Sequence, residues 1–172
     1  RVIGGVPFGI QNLLPAVLDM KLRDYFIATI FGGETFEWDS DPTGATGTRA
    51  TILANAPTAS SFTLVSAPDR HLIFFGTETT IGTSSTRDEM YIRFSDQEAI
   101  NVYAPSATNT AGTQRLQDGT KIMGALKAKE VILIWTDNAL YTMKFIGSPF
   151  TFGFEQVGTN CGLIGKNAAV EV

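Results

Sequence analysis

One histidine and one cysteine set a low ceiling on the side-chain chemistry of this chain. His71 and Cys161 would make a nucleophile–base pair only if the fold brought the imidazole to the thiol. Cys161 stands in "GTNCGLIG", a Gly-rich corner, and His71 follows a turn; neither neighbourhood has a protease signature. A structural histidine and a small buried cysteine are expected instead. A lone cysteine also excludes an internal disulfide and a cysteine-rich zinc site. The run "DSDPTG" (39–44) alternates oxygen ligands as a calcium loop does. Its twelfth position is Ala50, where such a loop needs a carboxylate, and Pro42 fills a place usually left free, so a solvated turn is expected. The carboxylates of Asp39, Asp69, Asp96 and Asp137 fall at turns, where capping backbone N–H groups is their ordinary use. A glycosidase would need two of them about 5–10 Å apart across a cleft. "GTNCGLIGKN" lacks the Lys-Ser/Thr of a phosphate loop, and Arg70, Arg87, Arg93 and Arg115 are dispersed. No catalytic residue, cofactor site or metal site is expected.

The aromatic residues are more regular. Phe150, Phe152 and Phe154 alternate in "SPFTFGFEQ", and a period of two puts all three on one face of a strand, as core or as a seam between sheets. An aromatic platform for bases or sugars would carry basic neighbours, which this run lacks. An aromatic followed by an aspartate recurs three times: Trp38-Asp39, Phe94-Ser95-Asp96 and Trp135-Thr136-Asp137. Trp38 and Trp135 are expected to be largely buried at strand ends, sealing the gap to a neighbouring sheet, with the aspartate capping the turn beyond.

Those residues must be held by strands. "AVLDMKLRDYFIATIFGGETFEWDSD" (16–41) breaks at Leu22-Arg23-Asp24 and again at Gly32-Gly33, which is the punctuation of a meander. Further strand-like runs cover 61–66, 70–76, 90–95, 100–103, 121–126, 130–135, 139–146 and 150–157. Between some of them lie the turns "APDR" (67–70), "TDNA" (136–139) and "GSP" (147–149). The only helical stripe, around 10–18, is interrupted by Pro15. Stretches rich in Thr, Gly and Ser at 39–51, 77–89 and 104–120 read as exposed loops. The fold class is all-β. Grouped by fours, the strands give three units starting near Ala16, Phe62 and Lys121. Repeated four-strand units with an aromatic–Asp signature are how propeller blades look in sequence. A closed propeller needs ~4–8 blades, so residues 1–172 are expected to be part of one β-propeller domain, an incomplete propeller, with a sandwich as the competing architecture.

Apolar residues make up 44% of the 172 and charged residues only 17%, against about a quarter in ordinary domains. So low a charge fraction suits a surface covered by neighbours. With 17 acidic and 13 basic residues the net charge is −4, which argues against an autonomous nucleic-acid binder. No apolar run approaches the ~18 residues of a membrane-spanning helix, and the N-terminus does not read as a signal peptide. Arg1 in place of Met, and a strand-like run at 168–172, lead to the expectation that the natural protein is longer at both ends.

Long ordered strings then acquire a meaning. "SAPDRHLIFFGTE" (66–78), "MYIRFSDQEAINVYAPSATNTAGTQRLQDGTKI" (90–122) and "VILIWTDNALYTMKFIGSPFTFGFEQVGTNCGLIGKNAAVEV" (131–172) resemble the packaged-DNA stabilisation protein, or tail nozzle protein, of short-tailed bacteriophages. "FIATIFGGETFEWD" is similar more loosely, and 40–60 carries no likeness. The resemblance implies a β-propeller with extra β elements and no enzymatic role or cofactor. It implies a homo-oligomeric ring, a hexamer, in the virion tail below the head-to-tail adaptor protein, assembled in the host cytoplasm. Tail needle or tailspike proteins would be partners. Genomic DNA would be retained by the ring and would pass through its lumen at ejection without sequence-specific binding; no membrane is involved. Because the chain shows no basic cluster, DNA is expected to slide by weak or repulsive contact. The competing functions are a surface β-propeller that binds or cleaves host glycans and a scaffold propeller of cellular origin, which would show more uniform repeats.

Overall fold

The computed structural model describes residues 14–20, 23–39, 49–67, 69–147, 149–165 and 168–170. Among them the chain is all-β: twelve strands, one 3-10 turn at Ser84–Thr86 and no α-helix. The strands form three four-stranded antiparallel sheets, each a meander in which spatial order follows chain order. The first sheet holds β1 (Leu14–Met20), β2 (Arg23–Thr29), β3 (Thr35–Asp39) and β4 (Thr51–Ile52). The middle sheet holds β5 (Phe62–Val65), β6 (Leu72–Phe75), β7 (Tyr91–Phe94) and β8 (Gly112–Arg115). The third holds β9 (Ile122–Lys127), β10 (Ile132–Thr136), β11 (Ala139–Phe145) and β12 (Phe152–Thr159). The sheets thus begin at Leu14, Phe62 and Ile122, against starting points expected near 16, 62 and 121.

Local chemistry sets the corners. Met20 pairs with Arg23 at the end of the first hairpin, and Arg23 and Asp24 are paired in β2 rather than forming the break. At the β2–β3 corner Gly32 has φ +71, and its N–H donates to the Ser60 carbonyl at 2.7 Å, which ties the corner to the residues just before β5. At the β10–β11 corner the Thr136 hydroxyl accepts from the Asn138 and Ala139 N–H groups at 3.1 and 2.8 Å.

The sheets are layered, with the middle one covered on both faces. All four residues of β6 are buried: Leu72 and Phe74 pack with Ile27 and Leu53 on the side of the first sheet, Ile73 and Phe75 with Ile132 and Ile134 of the third. A strand apolar on both faces must lie inside a stack, and burying each such side chain stabilises by about 1.5–3 kcal/mol. The outer sheets alternate, as sheets with one covered face do. In β10, Ile132, Ile134 and Thr136 are buried while Leu133 and Trp135 are only partly so.

Several expectations are corrected. Residues 100–103 form no strand. Ile100 and Tyr103 are three apart rather than two, and both reach the core from a loop, with Tyr103 edge-on to Phe74 at 5.3 Å. The fourth strand of the middle sheet is instead β8, inside the stretch read as a loop. The segment 77–89 is also not simply exposed, because Thr77 and Glu78 are fully buried. Trp38 is 40% exposed: it pairs with Phe26, also exposed, on the face of the first sheet opposite the buried Ile27. Trp135 is half-buried on the corresponding outer face of the third sheet. Phe150 precedes β12 and is 71% exposed, so it does not join Phe152 and Phe154, which do share the core side of that strand.

Candidate functional site

The most organised polar group lies where the middle sheet meets the third. The β5–β6 corner turns through Arg70, whose φ of +53 is rare for a residue with a side chain. That turn brings Ser66, Asp69 and His71 together. The Ser66 hydroxyl donates to Asp69 Oδ2 at 2.6 Å, and His71 Nδ1 bonds the same oxygen at 2.8 Å. His71 Nε2 lies 3.0 Å from the hydroxyl of Thr110, just before β8. The Thr110 hydroxyl and N–H both donate to Asp96 Oδ1, at 2.7 and 2.8 Å, and the Gln97 N–H donates to the Thr110 hydroxyl at 2.9 Å. His71 has no exposed surface, and its ring packs 5.1 Å from Phe152 and 5.7 Å from Phe145 of the third sheet.

Asp69, His71 and Thr110 have the connectivity of an acid–base–nucleophile triad, but the Thr110 hydroxyl is turned to a second carboxylate. In such a triad the hydroxyl donates to the imidazole. Here the single hydroxyl proton of Thr110 is directed to Asp96 at 2.7 Å, so it is not offered to the imidazole as a nucleophile's would be. The arrangement therefore holds three segments together: the β5–β6 corner, the end of β7 and the start of β8. Burial opposes ionisation of Asp69 and Asp96, but hydrogen bonds from His71 and Ser66 onto Asp69, and from Thr110 and Gln97 onto Asp96, hold both carboxyls below their ordinary range. Cys161 is exposed beside the β10–β11 corner, where its N–H donates to the Asn138 carbonyl at 3.0 Å. Both ring nitrogens of His71 are occupied elsewhere.

The aromatic–Asp motifs divide. Phe94 and Asp96 close β7, the third strand of its sheet; Trp135 and Asp137 close β10, the second strand of its own; Trp38 and Asp39 close β3. Asp137 receives the Thr120 hydroxyl and, at 2.7 Å, the Thr120 N–H, and these bonds lower its pKa. Asp96 and Asp137 thus do one job, each pinning the loop that leads into an adjacent strand. The aromatic partners differ: the Phe94 ring packs edge-on to Phe152 at 4.9 Å in the core, while both tryptophans face outward. The calcium-loop reading of "DSDPTG" falls mostly on residues 40–44, outside those described. Among the described residues no group of three or more metal-ligating side chains gathers.

Two charged residues that the sequence did not single out are structurally central. Glu78 is fully buried and accepts from the Thr58 N–H at 3.1 Å, from the Thr58 hydroxyl and from the Gly82 N–H at 2.7 Å. Arg93, 4% exposed, donates to the Glu78 and Thr79 carbonyls at 3.2 and 2.9 Å. Each stands in for backbone pairing in a loop that runs through the interior, a need that no local pattern in "GTETTIG" announces. Compared with protein-family models and with curated proteins, the chain finds no match.

Proposed function

We propose that this chain is a structural subunit of a short-tailed bacteriophage tail nozzle, with its three sheets as consecutive blades of a β-propeller. The observation that carries the reading is the succession of three four-stranded antiparallel meanders, layered face to face in chain order. It is supported by the long strings that resemble the nozzle family across the middle and third sheets. The outer faces fit as well: Phe26 and Trp38 on the first sheet, Trp135 on the third, are what a flanking blade would cover. In this reading the subunit builds a homo-oligomeric ring under the head-to-tail adaptor, retains packaged DNA and conducts it at ejection, with no catalysis and no cofactor. Nothing at Asp69, Asp96 or Asp137 favours the glycan-cleaving alternative, since each carboxylate is engaged by neighbouring donors.

The test is to express the full-length natural protein, measure its mass by native mass spectrometry and locate it in virions by immunogold electron microscopy. A closed ring at the tail tip is expected. A monomer absent from the tail, or one that hydrolyses host glycans, would remove the proposal.

A further inference from the structure

The second strand of each sheet shows how one sheet hands on to the next. β2 turns Ile27 towards Leu72 and Phe74 of β6, and β6 turns Ile73 and Phe75 towards Ile132 and Ile134 of β10. Each sheet thus sets its trailing face on the leading face of its successor. Two faces are left over: the leading face of the first sheet and the trailing face of the third. On the first, the register groups Phe26 with Trp38, and Phe36 with Ala28 and Ile52. Phe26, Trp38 and Ile52 are 39%, 40% and 56% exposed. On the third, Trp135 pairs with Leu140, and Leu133 with Leu126 and Thr142, all of them half-buried. No member of either patch belongs to the two buried clusters between the sheets. None of these side chains is charged; Glu155 and Lys144 stand at the margin of the second patch.

We propose that copies of this chain associate head to tail, the leading face of the first sheet in one copy packed on the trailing face of the third sheet in another. Apolar patches of this kind mark interaction sites, and apolar sheet faces pack on one another by interdigitating side chains. The contact between sheets that the interior makes twice names the occupant. Each open patch is the half that the other lacks, so a second copy continues the stacking without any new kind of interface. Nucleic acid would need basic groups among the aromatics, and neither patch contains one. Because unlike faces meet, the contact is heterologous and repeats until it closes a ring or runs on as a filament. Much of each patch is already shaded by its own neighbours, so the contact falls in the weak class, with a dissociation constant of about 10–100 μM. Below about 1 μM the chain is then a monomer. This inference rests on the layering and not on the nozzle reading, so its failure would leave the place of the protein in the virion to its own test.

The test is sedimentation equilibrium of the whole chain from about 1 to 300 μM. The average mass should rise with concentration above that of one chain. Trp38→Glu and Trp135→Glu, each alone, should weaken the association about tenfold or more, because each spoils one half of every contact. Mixed in equal amounts, the two variants should form a pair that grows no further. The first keeps a sound third sheet and the second a sound first sheet, and their pairing also shows that both fold. Ile52→Glu, at the most exposed position of its patch, replaces Trp38→Glu should the unfolding midpoint drop. A chain that stays monomeric throughout overturns the proposal. So does either variant associating as the unaltered chain does, which would mean that a face packs on itself, and so does a mixture that stays monomeric.

Discussion

Asp96 shows how one side chain can hold a long excursion closed. Residues 95–111 leave the middle sheet after β7 and return as β8, and the carboxylate at their neck gathers the Thr110 hydroxyl, the Thr110 N–H and the Gln97 N–H. A carboxyl with a lower pKa in the fold than in the unfolded chain, where it is about 3.9, adds stability that is complete above the unfolded value and vanishes as the pH falls through the folded one. Asp69 belongs to the same class. Urea unfolding at pH 7, 5 and 3 should therefore show stability falling on the acid side. Asp96→Asn, which keeps one acceptor oxygen, should cost about 1 kcal/mol at pH 7, and the gap to the unaltered protein should narrow as the pH falls below the unfolded carboxyl value. Parallel curves would mean that the carboxylate charge is irrelevant to the neck. Removing the histidine is harsher: His71→Ala takes a side-chain donor from the buried Asp69 carboxylate and leaves a cavity against Phe145 and Phe152, and should lower the unfolding free energy by about 3 kcal/mol. At this scale the sequence was readable where an aspartate followed an aromatic at a strand end. It was silent about Glu78, whose partners Thr58, Gly82 and Thr83 are assembled only by the fold.

At the scale of the strand, what a sheet face touches decides how an aromatic behaves. Phe74 and Trp38 both sit in strands, yet Phe74 is wholly buried between sheets and Trp38 is 40% exposed on an outer face. Phe74→Ala should cost about 3–5 kcal/mol, and Trp38→Ala in this chain should cost well under half of that, as read by thermal or urea unfolding. Equal losses would show that Trp38 is covered in solution. Strand β8 shows a further limit of pattern reading. "GTQR" lacks an apolar alternation because none of its residues is fully buried, and Gly112 is required because the Phe94 ring lies across it, 2.4 Å from where a Cβ would stand. Gly112→Ala should destabilise by about 1–3 kcal/mol. The strand "LIFF" was legible as a strand but not as a central one, since continuous burial leaves no periodicity to read.

For the whole molecule, the layering orders the stability of the parts. The middle sheet is protected on both faces, whereas β4 is exposed throughout and the centre of β12 lies open. Amide hydrogen exchange should accordingly be slowest in β6 and β7 and fastest in β4 and residues 155–157. Uniform exchange would mean that the three sheets open as one unit. The starts of the three sheets were legible from the turn signals, but two of the closing strands were not: 100–103 forms no strand, and β4 and β8 fall at the end of, or inside, stretches read as loops. The stacking order was not legible either, because which face meets which neighbour depends on residues far apart in the chain.

The doubly covered β6 also matters before the fold exists. Translation delivers "HLIFF" roughly fifty residues before the third sheet that clothes Ile73 and Phe75 begins to emerge, an interval of roughly 3–10 s at ordinary elongation rates. For that time the nascent chain carries a short, uncharged, β-prone segment with half of its eventual cover, the kind most apt to pair with another copy on the same polysome. Asp69 and Arg70 stand directly upstream as charged gatekeepers, so the corner that later seats His71 first serves as a guard against premature association.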